Sequence, residues 1–388
     1  MLKVIFSLAL TILALLGGLH IFAFWVDGKM NSVTGNTIQD IPSEVSALHS
    51  SLMIGDLHAD STLWSRDIVT RSKRGHIDLP RLRDGNVAIQ IFTSVTKSPL
   101  GLNYNNNSEK SFDTITLLSI AQLWPVETWF SRTQRALYQA EKVSLIERRY
   151  PDQLKIIQTR SDIENIITSR NKGEKIIGAV LGIEGMHALD GESDNIDILY
   201  EAGFRVMGLH HFFDNKLGGS LHGESNAGLT TFGKETLLAM LSKDIIIDLA
   251  HSSEQVVKDV LARANAPVIV SHTGFKGHCD TPRNISDELM IKIAERGGLI
   301  GVGYWDAATC GSSIKSIVES IRYGINLVGI NSIALGSDFD GAINSPIDVS
   351  DLPKITAALL KEDFTSEEIR KVMGENLIGF LKNQLPVK

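Results

Sequence analysis

Between residues 52 and 335 the sequence returns eight times to one device, a short apolar run rich in β-branched residues. The runs are 53–55, 87–93, 176–182, 206–209, 245–249, 268–270, 299–304 and 333–335. Several are continuous rather than alternating, which suits parallel strands covered on both faces. Helical periodicity fills most of the intervals, at 236–243, 254–264, 286–296 and 313–327. Repeated strand–helix units close most economically as a parallel barrel, and eight strands are what such a barrel needs. The sequence thus predicts an α/β fold, a (β/α)8 TIM-type barrel occupying residues 45–388.

One interval is too long for a simple crossover. Residues 94–175 carry helical pattern at 111–150 and 161–169, which predicts a helical insertion after the second strand, near the barrel rim. Within it the Asn-rich patch 103–107 reads as an exposed loop tip. A helix over 366–383 is expected to end the domain. The N-terminus differs in kind: residues 4–25 hold no charge over 22 positions. A helix of that length, rising about 1.5 Å per residue, spans a hydrocarbon core of about 30 Å. Residues 1–26 are accordingly expected to form a signal anchor, uncleaved in preference to the alternative of a cleaved signal peptide, and 27–44 a polar linker. Lys3 ahead of the run places the catalytic domain on the extracytoplasmic, or periplasmic, side. The net charge of −7 with no basic block excludes nucleic acid as a partner.

Chemistry-bearing residues gather where these strands end. The first strand runs into His58 and Asp60, two positions apart and so on one face. The third ends at Glu184, the fifth leads to His251, the sixth to His272 and the eighth to Asp338. Each alone has an ordinary explanation as a helix cap or a loop residue. Together, in strand order and at the same end of consecutive units, they indicate a metal centre on the face where barrel enzymes keep their sites. Imidazoles mixed with carboxylates suit zinc, and a carboxylate can bridge two ions about 3.5–4 Å apart.

Those residues sit in runs that resemble the membrane (renal) dipeptidase family of metallo-barrel hydrolases. The runs are 55–60, 75–83 (GHIDLPRLR), 182–189 (GIEGMHAL), 228–233 (GLTTFG), 247–253 (IDLAHSS), 267–272 with Arg283-Asn284, and 336–341. The resemblance covers about residues 45–385. It implies two Zn2+ ions per chain, one held by His58 and Asp60, the other by His251 and His272, with Glu184 bridging. It implies that Asp338 orients the nucleophilic water and the substrate's amino end, that His211 faces the oxyanion, and that Arg283 holds the terminal carboxylate. The activity implied is hydrolysis of dipeptides, including those with a C-terminal D-residue, by a metal-bridging hydroxide; a homodimer is implied too. A dipeptide carries charge at both ends, so a cation and an anion at fixed separation measure its length, and Arg suits the carboxylate through its planar fork.

The stretch after His211, 212–219 (FFDNKLGG), departs from the more polar pattern of many family members, which bears on side-chain preference. His210 competes with its neighbour for the site, because strand alternation lets only one of the two face the mouth. His187, His222 and His278 read as surface loop residues, His76 as structural, and Tyr304 and Trp305 as walls of the pocket. Cys279 and Cys310 follow neighbouring strands on the same face, which predicts an intrachain disulfide. The competing reading is another binuclear metallo-barrel hydrolase, acting on N-acyl amino acids, lactones or phosphoesters. A third is a catalytically dead receptor, against which the full ligand set speaks.

Overall fold

The polypeptide is described here by a computed structural model covering residues 2–35 and 41–387; among residues 2–16 only the side chain of Phe6 is described. In chain order the elements that position the site are α1 (Leu2–Met30), α2 (Ser43–Ser50), β1 (Ile54–Ala59), α3 (Leu79–Asp84) and β2 (Val87–Val95). There follow α4 (Thr114–Ala121), α5 (Arg132–Arg149), β3 (Leu154–Ile156), α6 (Arg160–Asn171) and β4 (Ile177–Glu184). The remaining strands are β5 (Phe204–Gly208), β6 (Ile246–Asp248), β7 (Ile269–Thr273), β8 (Leu299–Val302) and β9 (Ile333–Leu335). The strands pair in parallel in the order β2-β1-β9-β8-β7-β6-β5-β4, and β2 pairs again with β4, from Ile89↔Gly178 to Val95↔Glu184. That second pairing closes an eight-stranded barrel ringed by helices.

The eight apolar runs form these eight strands because the barrel buries both faces of each one. One interior layer takes a residue from every strand: Leu57, Ile89, Val180, Val206, Ile246, Ile269, Leu299 and Ala334, joined by Leu377 and Leu381 of the last helix. The barrel is therefore filled with side chains below the site. β3 was not predicted. Three residues are too short to show a period, and they add to β4 within the long interval.

The helix expected over 366–383 is interrupted. It runs as Ser366–Arg370 and Asn376–Gln384, separated by a wide turn at Lys371–Glu375. At Gly374 a Cβ would lie 1.9 Å from the Met53 carbonyl oxygen, so glycine lets the chain pass close beneath β1.

The insertion is clamped to the rim by one buried cation. Arg135 of α5 donates to the carbonyls of Thr96 (2.7 Å) and Thr128 (2.6 Å) and pairs with Asp113, whose carboxylate also caps α4. At the N-terminus the expected linker is in part structured. α1 continues to Met30, Asp27 and Asn31 are buried, and the Thr34 N–H donates to the Ser345 carbonyl at 2.8 Å. Residues 36–40 of that linker lie outside the described residues. Among the described residues no helix is long and apolar enough to cross a membrane. Most of the 4–25 run expected to do so falls at positions whose side chains are not described.

Candidate functional site

Because the barrel strands are parallel, their C-terminal ends share one face, and the ligand-type side chains meet there. Glu184, the last residue of β4, is the centre. Its Oε1 lies 3.1 Å from His251 Nε2, 3.3 Å from His272 Nε2 and 3.7 Å from His58 Nε2. Its Oε2 lies 3.3 Å from His211 Nε2. His58 Nε2 is also 3.5 Å from Asp60 Oδ1 and 3.9 Å from Asp338 Oδ1. Ligand atoms of His58, Asp60 and Glu184 fall within 4.8 Å of one another, as do those of Glu184, His211 and His251 and those of His58, His272 and Asp338. All seven residues are buried.

The backbone beneath them is held by carboxylates that sequence reasoning did not single out. Asp56, on β1, accepts from the His58 N–H (3.1 Å), the Gln90 amide (2.9 Å) and both the N–H (2.9 Å) and hydroxyl (3.0 Å) of Ser337. One side chain thus fastens β1, β2 and the end of β9. Asp248 accepts from the N–H groups of Ala250 (3.0 Å) and Ser271 (2.9 Å), fastening β6 to β7. Ser271 Oγ lies 3.1 Å from His58 Nδ1 and 2.9 Å from His272 Nδ1. His251 and Asp338 adopt left-handed backbone, with φ of 62° and 59°. For non-glycine residues that conformation costs about 1–2 kcal/mol each, and such strain persists where the surroundings fix a side chain's aim.

Electrostatics show what the set lacks. Burial pushes the Glu184 carboxyl well above its ordinary value, and the neighbouring Asp60 adds to the effect. Burial likewise pushes Asp338 up to about 8, against the pull of His58. Burial would lower the His58 ring, but Asp60 and Glu184 raise it to about 10. Burial holds His251 and His272 well below theirs, with Arg283 and the neighbouring imidazoles reinforcing it. Anions are disfavoured here and imidazole lone pairs converge. His58 Nε2 is buried without a hydrogen-bond partner. The Nε2 atoms of His251 and His272 approach to 2.9 Å, closer than two lone pairs tolerate unless a proton or a cation lies between them. Divalent cations supply what these donors require, so the residues fit a metal centre.

Around the ligands the structure separates the remaining histidines. His211 faces Glu184, with its Nδ1 3.2 Å from the Lys97 carbonyl, and burial lowers its ring to about 4. His210 turns away to Ser252. His187 and His222 are buried, contrary to the surface reading. His222 packs 5.2 Å from the His251 ring, and its Nδ1 meets the Tyr104 carbonyl at 2.9 Å, because the loop after β5 folds over the site. His278 is half-buried and apart. His76 is structural: its Nδ1 accepts from the Asp340 N–H.

Arg283 is wholly buried. Its Nη2 donates to the His272 carbonyl at 2.7 Å, while Nη1 has no partner. Its guanidinium stands 5.3 Å from the Trp305 ring, and Trp305 Nε1 donates to the Tyr104 hydroxyl at 3.0 Å. Trp305 walls the pocket, but Tyr304 points into the core against Phe339. The Asn-rich patch is no free loop tip, since Tyr104 lines the cavity and Asn107 is buried. Cys279 and Cys310 form a disulfide across the same face, with a Cα–Cα distance of 5.4 Å.

A family model described as membrane dipeptidase, peptidase family M19, matches residues 43–385. Dipeptidase ataJ of Aspergillus terreus is 26% identical over 342 residues, 79% of this chain and 76% of its own length. A metallopeptidase of Rhodobacter sphaeroides, crystallised with a phosphinate mimic of the dipeptide L-Ala-D-Ala, is similar with a TM-score of 0.70. Identity to it is 21%, over 86% of this chain and 99% of that one. The probable dipeptidase PvdM of Pseudomonas aeruginosa gives 0.71 at 18% identity, over 88% and 97%.

Proposed function

The chain belongs to the membrane dipeptidase family, peptidase family M19, and from that premise we propose that it hydrolyses dipeptides with two zinc ions held around Glu184. It is a metal-dependent hydrolase. His58 and Asp60 would hold one ion, His251 and His272 the other, with Glu184 between them. Bound there, the pair supplies a water acidic enough to attack near neutral pH and a Lewis acid for the scissile carbonyl.

The rest falls to side chains. Arg283, with Nη1 unpartnered, receives the substrate's terminal carboxylate. Asp338 takes the amino group and orients the attacking water. His211 commits its Nδ1–H to the Lys97 carbonyl. Burial keeps the free ring neutral, so Nε2 donates to the oxyanion only after it takes up the proton that the attacking water releases. The observation that carries this reading is the ring of imidazole nitrogens around Glu184 Oε1, at 3.1, 3.3 and 3.7 Å.

The test is a panel of L,L and L,D dipeptides, assayed alone, with chelator, and after zinc is restored. Turnover lost to chelator and regained with zinc is the expected result; turnover untouched by chelation sinks the reading. Arg283→Ala should raise KM sharply for dipeptides and leave an uncharged ester little changed, and equal loss on both removes the carboxylate role. A C-terminal D-residue is a natural extension, given the L-Ala-D-Ala mimic bound by the Rhodobacter sphaeroides protein. Membrane attachment by the part of the N-terminal helix ahead of Leu19, with the domain on the extracytoplasmic side, is supported by the lack of charge from residue 4 onward and by the disulfide.

A further inference from the structure

The metal and substrate site is the inner end of a larger cavity of about 610 Å³, and α1 supplies much of its outer wall. Leu19, Phe22, Ala23, Val26 and Met30 recur at three- and four-residue spacing, one stripe of a helix, and all five line the cavity. Facing them are Ile115 and Leu118 of α4. Leu19, Phe22 and Met30 remain 42%, 58% and 44% exposed, so these cavity-lining side chains are not packed into a core, and Ile21, Phe24 and Trp25 on the other faces are exposed as well.

This wall is fixed to the catalytic loop. Asp27 pairs with Arg66 (3.1 Å), Arg66 with Asp340 (2.8 Å), and the Ala342 N–H donates to Asn31 at 2.9 Å. Asp340 lies two residues beyond Asp338. The apolar chamber begins beside that loop, at Ile343 and at Leu63 and Trp64, which follow Asp60. The opposite end, at Arg283, is bounded by Trp305 and Tyr104.

We infer that α1 forms the pocket for the side chain of the substrate's amino-terminal residue, and that the enzyme selects dipeptides carrying a large apolar group there. The inference rests on the dipeptidase reading, which sets the amine at Asp338 and the carboxylate at Arg283. With the ends so held, the amino-terminal side chain turns toward α1.

The experiment compares kcat/KM of the full-length, zinc-replete enzyme on L-Ala-L-Ala, L-Leu-L-Ala, L-Phe-L-Ala and L-Ala-L-Leu. Enlarging the amino-terminal residue is expected to raise kcat/KM at least about tenfold, the lower end of what one methylene is worth in a hydrophobic pocket. Enlarging the carboxy-terminal residue should change it far less. Val26→Phe fills the chamber, and the half-exposed Met30→Trp does so with less risk to folding; each should pull the Leu-Ala to Ala-Ala ratio toward one. Turnover of L-Ala-L-Ala with a wild-type ratio near one, or a ratio that neither variant moves, overturns this inference alone. Absence of turnover on every dipeptide overturns the dipeptidase reading and this inference with it.

Discussion

The two ends of the cavity are made by different means. The inner end is built from strand termini, where Asp56 and Asp248 staple adjacent strands and His251 and Asp338 sit in costly left-handed backbone. The outer end is built from helix faces, α1 and α4, whose apolar side chains touch the cavity through area rather than through directed bonds. Directed bonds fix atoms to fractions of an ångström, as chemistry on a carbonyl requires. Apolar contact scales with area and tolerates exchange of like-sized groups. Substitutions at the inner end should therefore cost rate, and those at the outer end should shift preference.

The largest effect is expected at the centre. Glu184→Gln removes the one carboxylate that all four facing imidazoles approach, and should cut kcat at least about a thousandfold with loss of bound zinc, read by metal analysis. Full metal retention with normal kcat would dissolve the contrast at its root. His211→Ala removes a single donor and should lower kcat by about 10²–10³, with KM changed little. A pure KM effect would reassign it to substrate binding. Ser271→Ala, which touches only the far sides of two ligands, should weaken metal affinity about 10–100-fold, measured by chelator competition.

The smallest effect on turnover belongs to the outer end. Burial acts to raise the Asp340 carboxyl, but Arg66 and His76 outweigh it and hold the group far below the usual carboxylate range. A carboxyl depressed by folding contributes stability above its unfolded value of about 3.9, and that contribution is lost as pH falls through lower values. Asp340→Asn, tolerated at φ 65°, should cost about 3 kcal/mol of stability at pH 7 and progressively less on acidification, seen as converging Tm values. It should leave turnover of L-Ala-L-Ala within about tenfold of wild type, because the Asp340 carboxylate meets Arg66, His76 and Ser61 and none of the side chains gathered around Glu184. A collapse of turnover would mean that the outer wall also aims Asp338.

How much of this was legible follows from the same contrast. The barrel showed in the sequence because parallel strands buried on both faces leave continuous apolar runs. The convergence at the inner end showed because strand order brings His58, Asp60, Glu184, His251, His272 and Asp338 to one face. Asp56 and Asp248 were passed over because a carboxylate bound to backbone N–H groups looks in sequence like any strand-end acid. His222 and Tyr104 read as surface in the sequence because their burial depends on loops folding over one another, which no local period records. The role of α1 was hidden for another reason. A stripe of Leu, Phe, Ala, Val and Met that starts in an uncharged run and ends beyond it carries no mark of which neighbour it will meet.

Ser271 has a consequence of its own. A neutral imidazole that offers its Nε2 lone pair must carry its hydrogen on Nδ1. His58 and His272 both turn Nδ1 toward the same hydroxyl oxygen, at 3.1 and 2.9 Å. That oxygen has two lone pairs and can receive both hydrogens at once, so a single serine can hold in the same tautomer two rings that the proposal assigns to different ions. Whatever disturbs the protonation of one ring is felt by the other through an atom that touches neither substrate nor metal.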